Sequence, residues 1–157
     1  MGSGVSGLYS GAVPGDADYM PKTDIFSRFI SRRKDIDPDG FFDIIAHGTE
    51  NSIFIVNNGV SVEIDHRSAA RLIRGNKKYK RQSIRLLSCN TGTLPDGFAQ
   101  RLADKLGVIV IAPTKLLWAK PSGSYYVAGR DPLNPEISNR KDKGNFETFT
   151  PGKRKRK

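Results

Sequence analysis

Two short apolar runs, each cut off by a residue pair capable of chemistry, constrain this chain more than anything else in it. Phe41-Phe-Asp-Ile-Ile-Ala46 stops at His47-Gly48. Ile84-Arg-Leu-Leu87 stops at Ser88-Cys89, after which Asn90-Thr-Gly92 turns the chain away. Apolar runs of this length bounded by turn residues read as buried strands. A third run, Val108-Ile-Val-Ile-Ala112, is closed by Pro113. Between the first two lie Ser52-Ile-Phe-Ile-Val56 and Val60-Ser-Val-Glu-Ile64 around Asn57-Asn-Gly59, which predicts a hairpin.

Helical spacing fills the remaining gaps. Thr23-Asp24 caps a segment with Ile25, Phe26, Phe29 and Ile30 on one face and Arg32, Arg33 and Lys34 near its end, the order that suits the helix dipole. Asp65 caps a second helix with Ala69, Leu72 and Ile73, ended by Gly75. Pro95 to Leu106 reads as a third, with Phe98, Leu102 and Leu106 in line and Gly107 as its stop. Strand, hairpin, helix, strand, helix, strand implies right-handed crossovers. The expected fold is α/β, a mainly parallel sheet with helices on both faces. Leu116-Leu-Trp118 and Ser124-Tyr-Tyr-Val127 are expected as short strands along the same edge. From Asp131 onward Pro, Asn, Lys and Arg predict fading order, with Phe146 and Phe149 tacking one last segment to the body.

Composition bounds the partners. The chain has 157 residues, enough for one domain with a real core. Cys89 is its only cysteine, so no internal disulfide forms, and with two histidines a metal cluster is not expected. No apolar run is long enough to span a membrane, and no secretory signal pattern opens the chain. The formal charge of +10 favours anionic partners, although part of it sits in the tail Lys153-Arg-Lys-Arg-Lys157. Residues 1–21, rich in Gly, Ser and Ala, read as a flexible linker or an expression remnant. Residues 22–150 form the expected domain, and 151–157 a basic tail.

Sites in parallel sheets form beyond the carboxyl ends of the strands, where His47, Cys89 and Pro113-Thr114 all fall. Cys89 would be a nucleophile if a base or a nearby helix N-terminus lowered its pKa; otherwise it is a small apolar residue ending a strand. His47 is its candidate base, or a hydrogen-bonded structural histidine. Gly48 would let its N–H approach a ligand as an oxyanion donor, together with the Cys89 N–H. Thr114 and Trp118 are candidate substrate-binding residues, with Trp118, Tyr125 and Tyr126 walling a pocket or filling the core. His66, at a helix start, reads as a surface residue, and Lys77 to Arg81 as a solvated loop. Ser88 and Thr91 read as turn residues, with a serine nucleophile as the alternative.

The blocks Phe42-Asp-Ile-Ile-Ala-His-Gly48 and Ile84-Arg-Leu-Leu-Ser-Cys-Asn-Thr-Gly92 resemble the caspase-like cysteine peptidases, the clan of caspases, gingipains and the self-cleaving domains of large bacterial toxins. The 42-residue separation of His47 and Cys89 is similar to the spacing in that clan. Phe98 to Thr114 looks like C-terminal modules of bacterial polymorphic toxins, and the resemblance covers about Phe41 to Val127. It implies a cysteine endopeptidase with Cys89 as nucleophile, His47 as base and Gly48 as oxyanion donor, a dyad needing no third member. It implies a secreted or delivered toxin acting in the target-cell cytoplasm on a protein or peptide substrate, with a cognate immunity protein as partner. No cofactor is expected; an inositol polyphosphate activator, known in some toxin relatives, would draw on Lys77, Lys78, Lys80 and Arg81. The rivals are a basic nuclease using His47 or His66, and a non-catalytic anion-binding module. Both leave unexplained why the sole cysteine ends a strand opposite a His-Gly.

Overall fold

The computed structural model describes residues 17–20, 24–37 and 39–152. The lead-in before residue 17, Thr23 and the tail 153–157 lie outside the described residues. In chain order the elements are β1 (Ala17–Asp18), α1 (Ile25–Ile30), β2 (Phe41–Ile45), β3 (His47–Gly48), β4 (Ile53–Asn57), β5 (Val60–Ile64) and α2 (His66–Arg74). Then follow β6 (Ser83–Leu87), α3 (Phe98–Leu106), β7 (Val110–Pro113), β8 (Leu116–Ala119), β9 (Tyr125–Arg130), β10 (Ser138–Lys143) and β11 (Phe146–Phe149).

The central sheet has the order β1-β2-β6-β7-β11. Its first four strands are parallel, and β11 closes the edge antiparallel to β7. β2 and β6 run in register from Phe41 opposite Ser83 to Ile45 opposite Leu87. Strand side chains alternate between faces. Phe42, Ile44, Ile84, Leu86, Val110 and Ala112 therefore join one buried cluster, together with Ala69, Ala70 and Ile73 of α2 and Phe98, Ala99 and Leu102 of α3. Ile45 and Leu87 join a second cluster with Ile30 of α1, Leu117 of β8 and Val127 of β9. Each such aliphatic or aromatic side chain contributes about 1.5–3 kcal/mol when fully buried.

The parallel core is the architecture expected. Two of its helices share one face, for a topological reason. The chain steps from β2 to β6 to β7 without reversing direction, and right-handed crossovers in one direction put their helices on one face. α2 and α3 accordingly pack together. The second cluster is covered by the six-residue α1 and the sheet β8-β9-β10. On this side Asp43 and Arg85, opposite each other in register, form a buried charge cluster. Asp43 accepts from Arg33 Nη2 (2.7 Å) and Arg85 Nε (2.8 Å) and Nη2 (2.7 Å). Arg85 also donates to Asp35 and to the Tyr125 hydroxyl, and Tyr125 donates to Asp35.

Two expectations on order are corrected. The body begins before residue 22: β1 pairs with β2, and Tyr19 donates its N–H to Ile45 O (2.8 Å) and accepts from Val56 N (3.1 Å), with its side chain buried. Nor does order fade after Asp131, since β10 pairs with β9 and β11 with β7. β10 is polar because it is held by backbone bonds, with Ser138 half-buried against the Tyr126 hydroxyl and the side chains from Arg140 onward turned to solvent. The hairpin forms as expected, with Asn58 (φ 54°) and Gly59 (φ 79°) both left-handed at its turn. Gly107 stops α3 at φ 69°. That helix starts at Phe98, three residues later than Pro95. Among the described residues no helix is long and apolar enough to cross a membrane.

Candidate functional site

β2 and β6 end side by side, and one last rung, Ala46 N to Leu87 O (3.3 Å), joins them past the ladder. Beyond it the two chains part. His47 and Gly48 leave the main sheet and pair antiparallel with β4. Ser88 to Gly92 makes a turn tied down by its own groups: the buried Ser88 and Thr91 hydroxyls bond each other (2.8 Å), Asn90 takes φ 63°, and the N–H groups of Asn90 and Gly92 donate to Lys115 O and Pro113 O. Ser88 is thereby hydrogen-bonded within its own turn, and it also borders the cavity that holds Cys89.

Gly48 is pressed against this turn. A Cβ there would lie 2.7 Å from Thr91 Cγ2, 2.8 Å from Cys89 O and 3.2 Å from Ser88 Cβ. The close approach of the two strand ends thus requires glycine.

His47 and Cys89 line one cavity of about 320 Å³. Its walls are apolar: Ile25, Phe26 and Phe29 of α1 on one side and Leu116, Leu117 and Trp118 of β8 on the other, with Arg130 at the end of β9. Trp118 is fixed by an Nε1–H bond to Ala128 O (2.9 Å). Thr114 is elsewhere. Its hydroxyl accepts from Asn145 N (3.1 Å) and it borders a separate cleft with Gly92, Thr93 and Gln100. The structure therefore brings His47, Cys89 and Trp118 to one cavity, sets Gly48 against the Cys89 turn behind it and leaves Thr114 out. His66 also lies outside the cavity, at the start of α2. Burial lowers its pKa, aided by Arg67, Arg101 and Lys105 and opposed by Asp65.

The thiol is held by β8 rather than by the histidine. Cys89 Sγ accepts from Leu117 N (3.4 Å) and lies 4.0 Å from Leu117 O. Burial pushes its pKa up, against the opposing pull of the Leu117 N–H and the Arg130 charge. The expected help from a helix N-terminus is not available. α3 begins at Phe98, and the N–H groups of Phe98 and Ala99 are bonded to Glu50 O (2.9 Å) and Thr91 O (3.2 Å).

His47 has a partner that sequence spacing did not reveal. Its Nε2 lies 2.9 Å from Asp24 Oδ2. The other oxygen of that carboxylate, Oδ1, accepts from the N–H groups of Phe26 (2.8 Å) and Ser27 (3.3 Å) as the cap of α1. One aspartate thus starts the helix that walls the cavity and orients the imidazole at its mouth. The side chains of His47 and Asp24 are 54% and 21% exposed, so the pair is partly screened by water. With Nε2 engaged by a carboxylate, Nδ1 is the nitrogen left to accept a proton. Asp24 was legible only as a cap; nothing local links it to a histidine 23 residues on. Among the described residues no group of three or more His, Cys, Asp or Glu converges to hold a metal ion.

A family model described as a domain of unknown function, DUF8616, matches residues 15–127, well over half of the chain. The chain belongs to the DUF8616 family. No curated protein and no solved structure matches it. The span shared with DUF8616 carries Asp24, His47, Gly48, Cys89 and Trp118; Arg130 falls just beyond it.

Proposed function

We propose that this DUF8616 chain is a cysteine endopeptidase with a caspase-like sheet, working through His47 and Cys89. The observation that carries the reading is that two adjacent parallel strands, β2 and β6, deliver a histidine and the sole cysteine into one apolar cavity. Burial keeps the resting thiol protonated at neutral pH, so the reaction needs a base at the moment of attack rather than a preformed thiolate. His47, held through Nε2 by Asp24, takes the Cys89 proton as Sγ bonds to the peptide carbonyl carbon. In the resting site Cys89 Sγ accepts from Leu117 N, and the contact of His47 with the thiol is proposed to form once substrate is seated. The C–N bond then breaks, the imidazolium protonates the departing amine, and an acyl-enzyme remains. Water, deprotonated by His47, attacks the acyl carbon and returns the thiol. The N–H groups of Gly48 and Cys89 are the proposed oxyanion donors, and Trp118 and the α1 side chains the surface on which substrate lies. The likeness of Phe98 to Thr114 to polymorphic toxin modules extends the proposal to a delivered effector acting in the cytoplasm of a target cell and restrained by an immunity protein.

The test is labelling by a peptidyl acyloxymethyl ketone at neutral pH. Wild type is expected to label at Cys89, and His47→Ala to lose most of that rate while melting normally. Equal labelling of the two proteins would sink the reading, as would peptide turnover that survives Cys89→Ala.

A further inference from the structure

The edge of the sheet opposite the cavity carries a second feature. From His66 to Pro95 the chain contains eight Arg and Lys residues and no Asp or Glu. Only Arg85 is buried; Arg67, Arg71, Arg74, Lys77, Lys78, Lys80 and Arg81 are exposed. α2 and α3 both run back from the carboxyl ends of the strands, so Arg74, the loop 75–82 and Lys105 meet at the amino ends. Arg74 Nη2 donates to Lys105 O (2.5 Å), and Arg67, Arg101 and Lys105 all act on His66. Ion pairs at the rim of this surface join Arg67 with Asp65 at 4.0 Å and Arg101 with Asp96 at 3.8 Å.

A charge run is most often a solvated loop, but this one is anchored. Tyr79, in its middle, packs edge-on against Phe42 in the core, with ring centroids 5.4 Å apart, and its hydroxyl is buried with no partner. Lys78 N bonds Asn76 Oδ1 and Tyr79 N bonds Asn76 O. The lysines on either side of Tyr79 are therefore presented outward from a fixed backbone.

We propose that this edge binds nucleic acid through its phosphates, independently of base sequence. Three arguments select that partner. A compact anion favours helix N-termini, whereas α2 and α3 turn their C-terminal ends to this edge, so attraction must come from the long side chains. Arg67, Arg71 and Arg74 recur along α2 over about 10 Å, a length that follows several phosphates rather than one. Among the described residues the surface has no cluster of exposed large apolar side chains to insert into a bilayer: Ile109, just before β7, stands alone at this edge, while Ile25 lies on α1, Val60 and Val62 on the hairpin, and Leu133 and Ile137 on the loop before β10. Binding here leaves the His47–Cys89 cavity open and does not depend on the peptidase reading.

The test is fluorescence anisotropy of the full chain with a 20-base-pair DNA duplex of arbitrary sequence, titrated at several salt concentrations. The comparison protein combines Arg71→Gln, Lys77→Gln, Lys78→Gln and Lys80→Gln. The tail cations are the same in both, so the difference reports the patch. Wild-type affinity is expected to fall steeply with salt, and the four changes to reduce the log–log slope by about three to four and affinity at least about tenfold. A second variant, Arg67→Gln with Arg101→Gln and Lys105→Gln, removes other cations of α2 and α3 on the same surface and guards against misfolding of the first. Unchanged affinity and slope in both variants would overturn the proposal. So would equally tight binding of polyglutamate, which marks an acidic protein partner, or preference for phosphatidylserine vesicles over DNA, which marks a membrane.

Discussion

Replacing Gly48 by alanine introduces one methyl group at the point where the two strand ends touch. That carbon would meet the Cys89 carbonyl oxygen at 2.8 Å and Thr91 Cγ2 at 2.7 Å, both well inside van der Waals contact. The first neighbour is backbone in a turn pinned by the Asn90 and Gly92 amides, so it cannot swing aside. Overpacking of this kind costs about 1–3 kcal/mol, and the less flexible unfolded chain returns about 0.4–1 kcal/mol. With two contacts this short the upper half of the range applies, a net loss of about 1–2.5 kcal/mol. For a chain of this size that lowers Tm by about 2–10 °C. The assay is thermal melting beside the labelling rate of Cys89, because any yielding must move the Cys89 carbonyl. Adding Thr91→Ser removes the methyl contact but not the carbonyl one, so the double variant should recover only part of the loss. A Gly48→Ala protein melting within about 1 °C of wild type would refute the reasoning, since the turn would then give way freely.

Asp24→Asn keeps a good helix cap but offers His47 a donor in place of an acceptor; labelling of Cys89 should slow about two- to twelvefold, the value of one hydrogen bond, with Tm unchanged. Asp24→Ala should add a loss of about 1 kcal/mol in stability from the missing cap, and wild-type labelling by the asparagine variant would remove Asp24 from the site. Asp43→Asn leaves Arg33 and Arg85 buried without their shared carboxylate, and urea unfolding should show a loss of about 3–5 kcal/mol; an unmoved midpoint would mean that Asp35 alone suffices. Burial pushes the Asp35 carboxyl up, but the Tyr125 hydroxyl and Arg85 outweigh it and hold its pKa below the usual value. Its contribution is therefore present above the ordinary carboxylate range and lost as pH falls through and below that range, so Asp35→Asn should flatten the acid limb of a stability–pH curve.

Local chemistry made much of this molecule legible. Asn57-Asn-Gly59 announced its hairpin, Gly107 its helix stop, and the abrupt ends of two apolar runs marked where His47 and Cys89 would emerge. What stayed hidden was not local. The shared face of α2 and α3 follows from strand order, which no window of sequence contains. β10 is built from Asn, Arg, Lys and Asp because an edge strand can be held by backbone bonds alone, and composition is blind to those. The hold of Leu117 on the thiol and of Asp24 on the imidazole are each single hydrogen bonds between distant elements. From sequence Cys89 therefore reads either as a thiol activated by a base or a helix N-terminus or as a small apolar strand end, and the burial that pushes its pKa up comes from β8, which no local window contains.

The parts of the cavity arrive at different times during synthesis. Asp24 and α1 come early, His47 and Cys89 in the middle, and Leu117, Trp118 and Arg130 only with β8 and β9. Until the last of these has docked, the cysteine lacks both its hydrogen-bonded amide and its apolar wall. A growing chain would thus carry an ordinary exposed thiol, and burial of that thiol would mark the late closure of the second layer. Timed alkylation during refolding would then follow assembly of the molecule from a single natural reporter atom.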